Sequence, residues 1–177
     1  MTKAEKNIGL LLIGLLFINR RGKSSPTTVL DQSLINYSFK GRNLPTGLAR
    51  GMRVNNPGNL KEFGEAWQGR VTPSSDPVFV EFRSYAYGLR AMVKLLQNYI
   101  RQGNNTIQSI LYRYAPTSEN DTNAYVEYVE QKTGIPRNRR LTGSKEEMRK
   151  IVKHMANLEQ GIDAQTDRFF DLAYSLI

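Results

Sequence analysis

Carboxyl groups at loop positions are the first candidates for chemistry in this chain of 177 residues. Glu119 lies in the segment APTSENDT, between two stretches with helical periodicity, where a side chain can point into a cleft. Glu62 and Glu65 lie in the segment RVNNPGNLKEFGEAWQGRV, between an Asn-rich turn and the only tryptophan, Trp67. A carboxyl that burial or a neighbouring carboxylate keeps protonated can act as a general acid, and Glu119 is the first candidate for this role, ahead of Glu65.

The neighbours of Glu119 support either a catalytic or a structural interpretation. Asn120 and Thr122 could orient a carboxyl or bind a sugar, and Asp121 could be the carboxylate that keeps Glu119 protonated. Alternatively, Ser118, Asp121 or Thr122 caps the next helix. In that case Glu119 only interacts favourably with the helix dipole.

The Asn-rich turn and the aromatic residues around it could form a sugar-binding groove, because amide hydrogen bonds combined with an aromatic face suit acetamido sugars. The candidates are Asn56, Asn59, Trp67, Tyr85, Tyr114 and Asn120, and Tyr87 is an alternative source of the aromatic face. The alternative is a purely structural turn, since Asn55, Asn56 and Asn59 tolerate left-handed backbone geometry and can bond to nearby backbone groups. Trp67 could equally be a core residue.

The composition excludes several kinds of site. The chain has no cysteine, so it has neither disulfides nor thiolate metal ligands. It has one histidine, His154, which excludes a metal site with several histidines. We therefore expect no metal and no cofactor.

The net charge of +9 lies mainly in the N-terminal part of the chain. Residues 1–50 contain eight basic and two acidic residues, whereas residues 51–177 contain 17 and 14. This favours an anionic partner for the N-terminal arm, such as lipid head groups, nucleic acid or a cell-wall polymer. Elsewhere, the segment IPRNRR is followed closely by Glu146 and Glu147 and lacks a stacking motif, so nucleic-acid binding there is not expected.

Residues 8–18 form an unbroken apolar run of 11 residues between basic flanks. A comfortable bilayer span needs about 20 residues, but flanking lysines and arginines extend the reach of a shorter one. We interpret the run as a membrane anchor that contacts lipid. A signal peptide and a buried or partner-binding helix are the alternatives, although NRRGK does not resemble a cleavage site. The predicted organisation is an anchor segment (1–24), a turn-rich linker (25–47) and a globular domain (48–177).

Periodicity within the domain predicts a small hairpin followed by about five helices, a helix-dominated α+β fold. A strand is expected at Val78–Phe82, paired with WQGRV across the loop TPSSDP. The helix boundaries are predicted from caps and glycines: Ser84 to Gly103, Thr106 to Pro116, about 122 to Gly134, the capping box SKEE to Gly161, and a last helix from Asp163 or Thr166.

Residues 53–129 resemble a family of phage and prophage proteins described as virion structural proteins. The shared motifs are NNPGN, WQG, FVEF and APTSENDT. This resemblance implies a virion protein with other virion proteins as partners. A membrane-containing phage would explain the anchor and would place the protein in the virion, beside a viral or host membrane.

A second resemblance covers about fifty residues and is to flagellar-type and autolysin glucosaminidases of the lysozyme-like superfamily. They share the order of an Asn-Asn turn, a Trp-x-Gly and the element FRSYAYGLRAM. It implies a lysozyme-like domain that cleaves the glycan strands of peptidoglycan. Those enzymes carry their catalytic glutamate at the end of a helix before the turn, whereas GRNLPTGLARGMR contains no acidic residue. The acid must then come from elsewhere in this chain.

Two functions follow as expectations. The first is a membrane-anchored, virion-associated protein that cleaves peptidoglycan as a muramidase or lytic transglycosylase during genome entry. A transglycosylase could work with one carboxylic acid, because a hydroxyl of the sugar is its nucleophile. The second is a virion structural or wall-binding protein without catalysis.

The anchor hypothesis predicts that the full-length chain sediments with membranes or detergent micelles, because its uniformly apolar run between basic flanks would insert into the hydrocarbon region. Deletion of residues 1–24 should release a soluble, folded domain. A full-length chain that stays soluble and monomeric without detergent would rule the anchor out.

Overall fold

A computed structural model describes residues 33–40, 49–161 and 167–177. Within these ranges residues 33–35 are helical, and the chain then forms a short helix, a two-stranded hairpin and five longer helices. The elements are α1 (Arg50–Arg53), β1 (Arg70–Val71), β2 (Glu81–Phe82), α2 (Tyr85–Arg101), α3 (Ile107–Tyr114), α4 (Thr122–Thr133), α5 (Lys145–Gln160) and α6 (Asp167–Ser175). The predicted helix-dominated α+β class is confirmed.

The N-terminal anchor segment lies outside the described residues. Within the part of the chain that the structure describes, no helix combines the length and the apolar character that crossing a membrane requires.

The five longer helices pack on one another around the main core. Helix α2 contacts α6, α5 and α3, while α3 packs on α4 and α4 packs on α5. Their buried apolar faces meet in one cluster, and β2 joins the other side of α2 through a smaller cluster around Phe82. Among the largest fully buried side chains are Tyr85, Phe82, Phe170, Met52, Leu89 and Met92.

The caps inferred from the sequence set the ends of three helices. Thr106 begins α3 with a capping box, and Asp121 caps α4 by accepting from the Ala124 amide at 3.0 Å. Ser144 begins α5 with the predicted capping box. Gly134 and Gly161 end α4 and α5 in the left-handed conformation that favours glycine, so these boundaries are confirmed.

The hairpin is shorter than predicted. Its strands pair antiparallel, with Arg70 opposite Phe82, but residues 78–80 instead pair with the loop at residues 60–62. The cause is Asp76, whose Oδ1 accepts from the amides of residues 78 and 79 at 2.9 Å and folds the start of the expected strand into a turn. The loop at residues 60–62 is thereby joined to the hairpin.

Part of the predicted linker belongs to the globular core. Tyr37 and Phe39 are buried, and the Phe39 ring lies 5.1 Å from the ring of Tyr85 in an edge-on contact. The Ser84 hydroxyl, expected to cap α2, donates to the carbonyl of Ile35 and holds this segment instead. Because the two aromatic side chains lose water contact on packing, residues 33–40 extend the domain beyond the predicted boundary at residue 48.

The Asn-rich turn is built from buried amides. Asn55 and Asn59 have φ values of 55° and 48°, in the left-handed region that asparagine tolerates. The Asn55 side chain accepts from the Phe39 amide and donates to the Phe82 carbonyl, both at 2.8 Å. Helix α2 lies so close that a Cβ at Gly88 would overlap the Asn55 carbonyl oxygen. The turn therefore joins residues 33–40, the hairpin and α2.

Asn56 has the same structural role one residue further on. Its Nδ2 donates to the carbonyls of Leu60 and Val80 at 2.9 and 2.8 Å, and its Oδ1 accepts from the Leu60 amide at 2.9 Å. The side chain is fully buried. Its amide therefore satisfies three backbone groups that have no access to water.

Replacing Asn56 with Ala should lower the free energy of unfolding by about 3 kcal/mol or more, because it leaves buried backbone groups without partners. Chemical denaturation monitored by Trp67 fluorescence measures the change. Asn120→Ala, which removes an exposed amide, is the matched control. A loss for Asn56→Ala no larger than that of the control would refute the structural role.

Candidate active site

A cleft of about 520 Å³ opens beside the Asn-rich turn. It is lined by the loop at residues 58–67, by the end of α3 and the loop at residues 115–120, by the middle of α2 and by the end of α5. The two loops meet in an ion pair, with Lys61 Nζ at 2.5 Å from a carboxylate oxygen of Glu119.

Six of the eight candidate site residues line this cleft. They are Asn59, Glu65, Trp67, Tyr114, Glu119 and Asn120. Residues from the turn, the loop before the hairpin, α3 and the loop after α3 are thus brought together, as the groove hypothesis requires.

Asn56 and Tyr85 lie in the interior, which corrects their predicted role in substrate binding. The side-chain amide of Asn56 is fully engaged in hydrogen bonds to the backbone of Leu60 and Val80. Tyr85 packs between the rings of Phe39 and Phe169 in the main core, and burial raises the pKa of its phenol far above the usual range. Neither side chain is exposed to a ligand.

The two carboxyls predicted to be catalytic are both exposed. Glu119 lies at the edge of the cleft, where Lys61 provides a positive partner. Asp121, considered as its neighbouring carboxylate, caps α4. Glu65 is exposed on the opposite loop. Neither glutamate has the burial that favours the protonated form of a general acid.

A different glutamate has that environment. Glu159, in the last turn of α5, lines the cleft and is half-buried. Its Oε1 accepts from the Tyr125 hydroxyl at 2.9 Å, and its Oε2 accepts from Asn59 Nδ2 at 2.8 Å. Burial raises the pKa of this carboxyl above its usual value, and the hydrogen bonds from Asn59 and Tyr125 oppose the rise without cancelling it.

The groups around Glu159 are fixed and uncharged. The backbone of Asn59 is left-handed, and its side chain reaches both the carboxyl and the carbonyl of Glu159. Tyr114 donates its hydroxyl to the carbonyl of Gly58, so the phenol holds the loop in place. Burial raises the pKa values of Tyr114 and Tyr125 well above the usual range, and both phenols therefore stay neutral at physiological pH.

Aromatic surface is available along the same cleft. Trp67 is half-buried and Phe63, four residues before it, is 76% exposed. Tyr99 of α2 also lines the cleft. These rings, together with the Asn120 amide, provide apolar faces and a polar group suited to a sugar chain.

Glu159 was not predicted from the sequence because it lies outside both resembling segments and a hundred positions from Asn59. A signal was nevertheless present. Glu159 lies two residues before Gly161, at the negative end of a helix dipole, where a carboxylate is unfavourable. An acidic residue at such a position, inside an otherwise well-capped helix, can mark a site that function maintains.

Metal chemistry has no candidate site among residues 33–40, 49–161 and 167–177. No group of three potential ligands of the His, Cys, Asp or Glu type comes together there.

The raised pKa of Glu159 predicts a pH-dependent effect of Glu159→Gln on stability. Between the unfolded and folded pKa values the folded state binds more protons, so the contribution of this carboxyl to stability is present at low pH and lost as pH rises through its folded pKa. The melting temperature of the variant, relative to wild type, should therefore increase from about pH 4 to about pH 8. Glu65→Gln, which removes an exposed carboxyl from the same cleft, is the reference for loss of a charge. A relative melting temperature that falls over this range would contradict the raised pKa.

The comparison with known proteins places the chain among phage proteins. No model of a known protein family matches it. Over 122 residues it is 39% identical to protein P5 of Pseudoalteromonas phage PM2, in an alignment that covers 67% of this chain and 75% of that protein. At this identity and coverage, the chain belongs to the family of phage protein P5.

Proposed function

We propose that this phage protein is a component of the virion that cleaves the glycan strands of peptidoglycan, with Glu159 as the general acid. One observation carries the proposal. The cleft contains a half-buried carboxyl with a raised pKa, held by two neutral donors and bordered by aromatic rings. Glycoside cleavage requires such a carboxylic acid beside the scissile oxygen.

In the proposed mechanism the Glu159 carboxyl acts twice, first as a general acid and then as a general base. The carboxylic acid donates its proton to the glycosidic oxygen while the bond from that oxygen to the anomeric carbon breaks. A hydroxyl group then attacks the anomeric carbon and returns a proton to the Glu159 carboxylate. The nucleophile is a water molecule in a muramidase and a hydroxyl of the same sugar in a lytic transglycosylase. The hydrogen bonds from Asn59 and Tyr125 orient the carboxyl and stabilise the carboxylate formed between the two steps.

The position of Glu159 agrees with the resemblance to lysozyme-like glucosaminidases. In those enzymes the acid ends a helix that precedes the Asn-Asn turn. Here Glu159 is in the last turn of a helix that follows the turn in sequence but contacts Asn59 within it. A lysozyme-like arrangement of a small hairpin, a helical body and an acid beside the turn is therefore part of the proposal.

The membrane anchor at residues 8–18 remains a hypothesis in this scheme. It would hold the enzyme at a viral or host membrane during genome entry, when the wall must be opened locally. Its support is the apolar run between basic flanks.

The second candidate is a wall-binding or structural virion protein without catalysis. The observation that favours it is that both donors to Glu159 stabilise the ionised carboxylate, as they would in a purely structural network. The same aromatic rings could then hold a glycan strand without cleaving it.

Glu159→Gln should reduce peptidoglycan cleavage by about a hundredfold or more, because it removes the proton donor and preserves the shape of the side chain. Dye release from purified peptidoglycan, with the full-length protein in mild detergent, measures the rate. Glu119→Gln and Glu65→Gln are matched controls that remove exposed carboxyls from the same cleft, and both should retain most activity. Wild-type activity should also fall as pH rises through the pKa of Glu159.

Mass spectrometry of the products distinguishes the two reactions. A transglycosylase product is lighter by one water than the corresponding hydrolysis product. If Glu159→Gln keeps full activity and either Glu119→Gln or Glu65→Gln loses most of it, the glutamate whose replacement abolishes activity is the general acid. Absence of activity in the wild type would leave the non-catalytic function.

A further inference from the structure

Two cationic side chains line the cleft, and within the described residues one of them forms an ion pair while the other does not. Lys61 and Arg113 are the cationic residues that line it. Lys61 is neutralised by Glu119 at 2.5 Å. Arg113 forms no ion pair with any carboxylate in the described part of the chain.

The Arg113 guanidinium is held in position by a ring. It lies 4.5 Å from the ring centroid of Tyr99, which also lines the cleft. A cation at this distance from an aromatic face is stabilised electrostatically. The guanidinium also hydrogen-bonds to the Tyr99 hydroxyl, and its other N–H groups can serve as donors to another group. Arg113 is exposed and lies in the last turn of α3, one residue before Tyr114. Burial raises the pKa of the Tyr99 phenol, and the negative charge of Glu65, which also lines the cleft, raises it further.

We propose that Arg113 forms a carboxylate-binding subsite that selects muramyl glycans over chitin. This proposal rests on the proposed function. Peptidoglycan and chitin share acetamido sugars, but N-acetylmuramic acid also carries a lactyl group. That group ends in a carboxylate or continues into a peptide with carboxylates of its own. An arginine fork pairs with a carboxylate in a two-pronged geometry, which a neutral chitin strand cannot offer.

The location of the subsite supports this assignment. Arg113, Tyr99 and Trp67 line the same cleft as Glu159, so a sugar bound against the rings would carry its lactyl branch past the guanidinium. A purely structural role would be a favourable contact with the negative end of the α3 dipole. That contact would stabilise the fold and would not distinguish between ligands.

The test measures binding without cleavage, using the full-length Glu159→Gln protein in mild detergent and the fluorescence of Trp67, the only tryptophan. The three ligands are chitotetraose, a tetrasaccharide of two N-acetylglucosamine–N-acetylmuramic acid repeats with free lactyl carboxylates, and the same tetrasaccharide with peptide stems. Adding Arg113→Gln should weaken binding of at least one muramyl ligand about tenfold, as loss of a charge-assisted hydrogen bond does, and leave chitotetraose unchanged. The muramyl ligand that loses affinity identifies which carboxylate is bound.

Arg101→Gln is the matched control, because it removes an exposed arginine from the last turn of α2 without altering the cleft. Equal losses for all three ligands, or no loss for any, would overturn the subsite, as would an equal loss for a single-stranded oligonucleotide of similar charge. The result is independent of the cleavage assay. If Arg113 distinguishes muramyl ligands from chitotetraose but the wild-type protein does not cleave peptidoglycan, the proposed catalysis is refuted and the subsite stands.

Discussion

The rest of the structure depends on the buried hydrogen bonds that join the Asn-rich turn to the segments around it. The turn is enclosed by residues 33–40, the hairpin, α2 and the end of α5, so its amides and carbonyls need partners from protein. Backbone bonds within residues 51–59 and from the Phe82 amide to Val54 supply several of them. The side chains of Asn55 and Asn56 bond outward, to backbone groups of Phe39, Phe82, Leu60 and Val80. Gln160 of α5 completes the set with a bond to the carbonyl of Pro57 at 2.8 Å. Docking α5 onto the turn in this way necessarily brings the preceding residue, Glu159, beside Asn59.

The same docking places a stabilising side chain next to a destabilising one. Gln160 faces the turn and stabilises the fold, whereas its neighbour Glu159 is a carboxyl that burial disfavours in the charged form. Replacing the acid by an amide would suit the fold better at neutral pH. A protein that keeps the acid at this position gives up stability for a group that can donate a proton. Such an unfavourable carboxyl is characteristic of active sites, and it is the physical basis of the proposal that this cleft is catalytic.

Local signals in the sequence predicted the helices well, because capping side chains and left-handed glycines act within a few residues. Thr106, Ser144 and Gly161 set helix ends where expected. Contacts between distant segments were not predictable in this way. Asp76 pairs with Arg50, 26 positions away, while it turns the chain through local bonds to residues 78 and 79. The burial of Tyr37 and Phe39 likewise depends on partners far along the chain. The cleft was located through its aromatic and amide residues, but its buried acid was not, because burial is a property of the assembled fold.

The ionisation of Glu159 is the most direct test of this account. In protein labelled with carbon-13 at the glutamate carboxyl, the signal absent from Glu159→Gln identifies this residue, and its chemical shift can be followed by NMR as pH changes. If Glu159 is the acid, its titration midpoint lies above the ordinary glutamate value of 4.5, since burial outweighs the two hydrogen bonds. A midpoint at or below that value would show a structural carboxylate and would contradict its role as the acid.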